Sequence, residues 1–330
     1  MKVIHLLASP YFSGPAELVL QLALTQRSLG HEVEVAVDRR RRETLAEELA
    51  VTRFEAHGLL SKRPLELSVK SSPLAFLRDV SALRGVAAQV DIVHSHFSHD
   101  HLVARCAGAP RVIRSIHAPR SLRWSTPRAL GWTAPNEDLA RTMLGRDVVV
   151  WPAMVDPSFV PPPKSRTSSA RIGMVSTFQP SRRHGLGLAA FALVKQRLPS
   201  ATLDLIGDGV LEAALRAQAA PLGESVVFRG YQSGAAFIKA LQSLDEVWVL
   251  GLGNDFSGRA AAQARACGAR VIAVDEGALA KWADVVVTPE AESIARVALG
   301  PERREVRLEA HSAVAGRVLE LYERARKAAT

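Results

Sequence analysis

Two adjacent arginines, Arg182 and Arg183, stand in a polar loop of ARIGMVSTFQPSRRHGLGLAAFALVKQRLPSATLDLIGDG, the stretch from Ala170 to Gly209. An apolar segment precedes the loop, an amphipathic segment of helical period follows it, and a second apolar segment closes in Gly-Asp-Gly. The pattern predicts a strand, a basic loop, a helix and a parallel strand. Ligands of open parallel sheets bind outside the carboxyl ends of the strands, where helix N-termini also point free N–H groups. A guanidinium at that edge grips a phosphate through two parallel hydrogen bonds, which a lysine does less specifically. An Arg-Arg pair is equally at home on a solvated surface loop, and its position after a strand is what favours a phosphate ligand.

The first half offers imidazoles and more arginines. His117 ends the apolar segment RVIRSIHAPRS, which places its ring on the lip of a strand, and eight of the ten histidines precede residue 120. His94, His96, His99 and His101 cluster after another apolar segment. His-x-His alternation on a strand sends both rings to one face, but no cysteine and only Asp91 and Asp100 lie near, so no metal site is expected. The segment His101 to Asn136 carries Arg105, Arg111, Arg114, Arg120, Arg123 and Arg128 without one acidic residue. Extended by Arg39 to Arg42, this basic lip suits a phosphate-bearing acceptor or an anionic membrane surface. In SPYFSGPAELVLQ, Gly14 and Pro15 read as a turn before a helix beginning near Ala16. The three glycines of GxGxxG are absent there, which argues against a nicotinamide-dependent oxidoreductase.

The elements that must position these groups alternate along the chain. Short apolar strands are expected at Lys2–Ala8, Glu32–Val37, Asp91–His94, Arg111–Ile116 and Val148–Trp151. The second half repeats the grammar at Ile172–Ser176, Ala201–Ile206, Val226–Phe228, Glu246–Leu250, Arg270–Val274 and Asp284–Val287. Strands alternating with helical patterns predict an α/β fold, a parallel sheet covered on both faces. PSFVPPPKSRTSS, Pro157 to Ser169, has no apolar period and reads as a stiff linker. The expected organisation is therefore a first domain over 1–156, a linker over 157–169, a second domain over 170–312 and a terminal segment over 313–330. An amphipathic helix is expected over Glu302–Lys327.

With 330 residues, 48% of them hydrophobic, the chain is long enough for two cores. No apolar run approaches the roughly 20 residues of a membrane span, and the first residues read as a strand rather than a signal peptide, so a cytoplasmic protein is expected. Cys106 and Cys267 lie far apart in helical sequence and are expected to be buried thiols, not a disulfide or zinc site. The net charge of +9 favours anionic partners. Aromatic-basic interleaving and a helix-turn-helix pattern are both missing, so nucleic acid is not expected.

The Ala170–Gly209 stretch resembles the donor-domain signature of the family 4 glycosyltransferases, retaining sugar-nucleotide enzymes of the GT-B fold. The family's pattern is an arginine after the strand, then a proline, a lysine and a glycine. Here Thr177 takes the first position, Pro180 and Gly185 match, and Arg182 or Arg183 stands for the lysine. GNDFSGRAAAQARACGARVIAVDEG resembles the segment with the family's paired glutamates. Ala266, Cys267 and Gly268 fix its register, so Asp255 takes the first glutamate position and Gln263 the second. Phe228-Arg229-Gly230-Tyr231 resembles the nucleobase turn, and Gly277 the glycine after the fifth strand, although the glutamate usual beyond that glycine has no clear counterpart.

The resemblance implies two Rossmann-like, doubly wound parallel-sheet domains facing across a cleft, with the terminal helix crossing back over the first. It implies that His117 and Asp255 act on the donor sugar. Gly14, Arg182, Arg183, Tyr231, Gln263 and the N–H groups of Phe256, Ser257 and Gly258 would hold a nucleotide diphosphate sugar such as a UDP- or GDP-sugar. A carbohydrate or lipid-linked acceptor is implied, with no metal or other cofactor, in surface polysaccharide, lipopolysaccharide or glycolipid synthesis on the inner face of the membrane. The departures at Thr177 and Gln263 keep open a second reading, a nucleotide-sugar-binding or partner subunit without activity.

Overall fold

A computed structural model of the protein describes residues 1–39, 49–68, 72–122, 128–163, 170–252 and 257–328. The chain divides into two compact units, Met1–Met154 with Glu309–Thr330, and Val155–Leu308. The first contains β1 (Lys2–Leu7), α1 (Gly14–Ser28), β2 (Glu32–Val37), α2 (Ala50–Ala56), α3 (Pro73–Ala87), β3 (Ile92–Ser95), α4 (Ser98–Cys106), β4 (Val112–Ser115), β5 (Gly131–Ala134), α5 (Glu137–Arg141) and β6 (Val148–Val150). The second contains β7 (Arg171–Val175), α6 (His184–Arg197), β8 (Thr202–Ile206), α7 (Glu212–Ala219), β9 (Val226–Gly230), α8 (Gly234–Gln242), β10 (Glu246–Val249), α9 (Arg259–Ala266), β11 (Arg270–Val274), α10 (Leu279–Trp282), β12 (Val285–Val287) and α11 (Ala291–Val297). The terminal α12 (His311–Ala328) belongs to the first unit.

Among the described residues each unit holds a six-stranded parallel sheet, in the orders β2-β1-β3-β4-β5-β6 and β12-β11-β10-β7-β8-β9. Both are Rossmann-like, as expected. In each, the winding reverses beside the first strand, so the topological switch points lie between β1 and β3 and between β7 and β10.

Alternation along β1 sets the two faces of the first sheet. Ile4 and Leu6 pack with Val93, Val112, Val80, Leu83 and Val103 in the core beneath α3 and α4. His5, between them, points to the opposite face, toward α1 and α12. The expected strands form with ends shifted by no more than two residues. β5 was not anticipated, because Gly-Trp-Thr-Ala has no apolar run; packing supplies what pattern lacks, since a Cβ on Gly131 would lie 2.6 Å from Leu321 Cδ1 of α12. Gly14 and Pro15 form the first turn of α1 rather than a loop before it, because the fixed φ of proline suits that position.

Two further expectations are corrected. The last helix starts at His311, not Glu302. Residues 302–304 are held to unit 2 instead: the Glu302 carbonyl accepts from Arg270 Nε at 2.8 Å, and Arg304 donates its N–H to Asp284 at 2.8 Å and its guanidinium to the carbonyls of Ala280 and Lys281. Cys267 is buried, but Cys106 is exposed at the last position of α4.

Polar groups bury themselves between α1, α12 and the first sheet by satisfying one another. His5 Nε2 donates to Gln26 Oε1 at 2.9 Å, the Gln26 amide donates to the Tyr322 hydroxyl at 3.2 Å, and that hydroxyl donates to His94 Nδ1 at 2.6 Å. His94 is then left with a proton on Nε2, 2.8 Å from Ser115 Oγ, and His96 Nε2 donates to His5 Nδ1 at 3.0 Å. With the amide in this orientation one set of tautomers satisfies every bond. Burial lowers the pKa of His5 to about 4 and holds His94 and His96 well below the usual value, so all three rings are neutral.

Replacing Tyr322 by Phe removes a hydroxyl that serves both Gln26 and His94, and should destabilise the first unit by about 1–3 kcal/mol, seen as a lower urea midpoint. The histidines also set an acid limit. Their folded-state pKa values lie below that of an unfolded chain, so the unfolded state takes up protons first; the network's contribution is complete above pH 6.5 and is lost as the pH falls toward 4. A urea midpoint constant between pH 7 and pH 4.5 would contradict this.

Candidate active site

β7 ends at Val175, and a short 3-10 turn, Pro180–Arg182, leads into α6. Arg183 is the N-cap of α6 in the left-handed conformation, φ 55° and ψ 36°, which costs a residue with a side chain roughly 1 kcal/mol or more. Contacts on the far side hold it there. Arg183 Nη1 donates to Glu276 Oε1 at 2.8 Å and reaches the carbonyl of Leu250 at 3.5 Å. Leu250 follows β10 and Glu276 follows β11, so the guanidinium extends across the switch point. Arg182 Nη1 packs over Gly251, 3.4 Å from where a Cβ would stand, and the N–H of Leu252 donates to the Ser181 carbonyl at 2.7 Å. The two arginines thus cover the carboxyl end of β10.

The Gly-Asp-Gly turn after β8 completes this edge. A Cβ on Gly207, at φ 140°, would overlap the Ser176 carbonyl oxygen, so the loops after β7 and β8 approach as closely as only glycine permits. The Phe178 N–H donates to the Asp208 carbonyl at 2.6 Å. His184, in the first turn of α6, is buried against Phe178, and burial followed by the Arg182 charge lowers its pKa to about 4. Thr177 is exposed in the same loop.

Of the residues the resemblance singled out near α9, Asp255 and Phe256 lie outside the described residues. Gly258 is the left-handed N-cap of the helix, φ 62°, and a Cβ there would overlap the indole of Trp282. Trp282 Nε1 donates to the Ser257 carbonyl at 3.1 Å, which fixes the start of α9. Gln263 is 3% exposed on the same helix. Tyr231 directly follows β9, at the opposite edge of the sheet from β12, and is exposed.

Gly14 and His117 belong to the first unit. His117 stands two residues beyond β4, half-buried, its ring 5.7 Å from His96 and 6.1 Å from Trp151. Burial, and then the Arg114 charge, lowers its pKa to about 3, so the ring is neutral. His117 Nε2 and His96 Nδ1 have no hydrogen-bond partner among the described residues. His5, His94 and His96 bring ligand atoms within 4.8 Å of one another, yet the facing nitrogens of His5 and His96 are bonded to each other and His94 Nδ1 is taken by Tyr322.

The basic lip loses one member. Arg114 is completely buried and lies 3.7 Å from Asp100, itself completely buried. Alternation on β4 turns this side chain inward. The Asp100 carboxylate accepts the N–H groups of Ala8, His96 and Phe97, tying the ends of β1 and β3 together, while burial pushes its pKa up to about 7. Arg39, Arg105, Arg120 and Arg128 are exposed and Arg111 is half-buried; Arg40 to Arg42 and Arg123 lie outside the described residues. Among the described residues no helix is long and apolar enough to cross a membrane.

Glu276 is the site residue that sequence reasoning missed. It sits in VDEG, directly before Gly277, and an acidic pair at the carboxyl end of a strand was the available signal.

Comparison with known proteins gives this arrangement a class. Residues 12–159 match the description Glycosyltransferase Family 4, and residues 169–299 match Glycosyl transferases group 1. No curated protein sequence matches the chain. Among solved structures, Anabaena HepE in complex with UDP and glucose shares 15% identity over 98% of this chain and 97% of its own, with a TM-score of 0.69. A glycosyltransferase from Rickettsia africae shares 14% over 99% and 96%, TM-score 0.71. The lipopolysaccharide outer core galactosyltransferase WaaB shares 16% over 100% and 99%, TM-score 0.64. The chain belongs to the GT-B glycosyltransferases of the family 4 type.

Substituting Gly258 by Ala should displace Trp282 and unsettle the start of α9, lowering stability by about 1–3 kcal/mol. Gly316→Ala in α12, where a Cβ meets nothing within 4 Å, is the control and should leave the thermal midpoint unchanged or raise it.

Proposed function

We propose that the protein is a retaining glycosyltransferase that moves a hexose from a nucleotide diphosphate sugar, such as a UDP- or GDP-sugar, to a hydroxyl of a carbohydrate or lipid-linked acceptor. The observation that carries this reading is the pair Arg182 and Arg183 over the carboxyl end of β10, at the switch point of the second sheet. Guanidinium groups fixed at that edge meet the charge that develops on a departing diphosphate. Such neutralisation requires no metal. Ser257 and Gly258 at the start of α9 would add backbone N–H groups, Gln263 would accept from the ribose, and Tyr231 would lie along the base.

His117 is proposed as a hydrogen-bond partner of the sugar. With its pKa near 3 it acts as a neutral ring and not as an acid. Asp255 would position the hexose hydroxyls. Arg105, Arg120 and Arg128 suit an anionic acceptor or membrane surface, in keeping with surface polysaccharide, lipopolysaccharide or glycolipid synthesis on the inner face of a membrane. The structures of HepE with UDP and with UDP-glucose support a donor of this class.

A second reading, a nucleotide-sugar-binding or partner subunit without turnover, is favoured by Thr177 and Gln263 at positions where the family carries charge. Incubating the purified chain with a panel of labelled UDP- and GDP-sugars separates the two. Sugar release or transfer, lowered roughly 10²-fold or more by Arg182→Ala or Arg183→Ala, is expected for the enzyme. Binding without release indicates the second reading, and no binding of any donor defeats both.

A further inference from the structure

Arg183 already has an anionic partner. Glu276 Oε1 lies 2.8 Å from Arg183 Nη1, and both side chains are 21% exposed. The carboxylate comes from a different strand end than the arginine, 93 residues away in sequence, so neither helical spacing nor local turn geometry makes the contact. Arg183 keeps a strained backbone while its side chain reaches toward Glu276, whereas Arg182 lies in the 3-10 turn without that strain. Two guanidinium groups close together repel, and the carboxylate offsets one of the charges.

We infer that Glu276 is a built-in competitor for the diphosphate: it occupies Arg183 when no donor is bound, and the phosphate must exchange with it. The inference rests on the donor reading given above. Exchange is feasible because the pair is partly exposed; water solvates the released carboxylate, and the contact contributes little net stability. Asp275, exposed beside Glu276, strengthens the local negative potential at the end of β11. An anion that displaces Glu276 must therefore offer more charge than one carboxylate, which the terminal phosphate of a nucleotide, with a charge of about −2, does. Glu276 acts through Arg183 and is a positioning residue.

Titration of the full chain with UDP and with GDP, followed calorimetrically, tests this. Glu276→Gln retains a hydrogen-bond acceptor but removes the charge, and should tighten binding of the nucleoside diphosphate about threefold to tenfold, the scale of a partly exposed charge contact. UMP and GMP should gain affinity by a similar factor, because each displaces the same carboxylate from Arg183. Glu276→Asp, which keeps the charge, should stay nearer the native affinity. In an Arg183→Ala background, Glu276→Gln should change affinity by less than twofold, a loss of coupling that a merely structural role for Glu276 would not produce. Unchanged or weaker binding by Glu276→Gln, or full tightening without Arg183, overturns the inference while leaving the donor reading intact. Failure of both native and variant chains to bind either nucleotide overturns the two together.

Discussion

A parallel strand covered by helices on both faces has only its ends open to polar chemistry, and this constraint arranges both units. The strands are short and largely apolar: Ile4 and Leu6 in β1, Leu203 and Leu205 in β8, Val271 and Ile272 in β11 are all fully buried, and the polar groups within strands, His5, His94 and Asp204, are buried against polar partners. Groups left without a buried partner collect at the carboxyl edge. There the chain turns sharply toward the next helix, and backbone N–H groups, glycines and arginines collect at the reversal of winding. Arg182, Arg183 and Glu276 in one unit, and Asp100 with His96 and His117 in the other, are products of the same topology.

The histidines between α1, α12 and the first sheet show how polar groups survive away from that edge. His5 and His94 are cross-strand neighbours on one face, and a hydrophobic pair would be the ordinary occupant. Buried imidazoles are tolerated because each nitrogen but one is matched by a partner of definite polarity, Gln26, Tyr322, Ser115 or another ring. Matching of this kind is directional, unlike apolar packing, and it fastens the chain's last helix in one position on a sheet made by its first residues. The remaining nitrogen, His96 Nδ1, ends the series at the carboxyl edge near His117.

Much of this was legible in the sequence. The alternation of apolar strands and helical segments gave two parallel sheets, because a strand buried on both faces reads as a continuous apolar run. The loop of Arg182 and Arg183 was recognisable for the same reason: a basic pair directly after such a run falls on a strand's carboxyl end. What escaped depends on tertiary contact. β5 is a strand through its pairing with β4 and β6, and its Gly131 is required because Leu321, some two hundred residues later, packs on it; the delayed start of α12 follows from Arg270 and Asp284 capturing the residues before it. Glu276 escaped because its role lies in a partner 93 residues away. Arg114 was misplaced on the surface because composition records that an arginine is present, not which face of a two-residue alternation it occupies.

Arg114 and Arg183 carry the same side chain beside a carboxylate, and burial separates what each can do. The Arg114–Asp100 pair is fully enclosed. Removing Asp100 leaves the Arg114 charge enclosed without its partner, a penalty of about 3–5 kcal/mol, and Asp100 is also engaged by the N–H groups of Ala8, His96 and Phe97, so the pair belongs to the architecture of the strand ends. Around Arg183 the balance differs, because both groups retain access to solvent. Glu276 can leave its partner without being stranded, and an anion of higher charge can take over the guanidinium without new backbone movement, since the left-handed turn at Arg183 has already aimed it. A chain that places one arginine of each kind at the carboxyl edges of its two sheets has separated the ion pair that builds an edge from the ion pair that can be exchanged for a ligand.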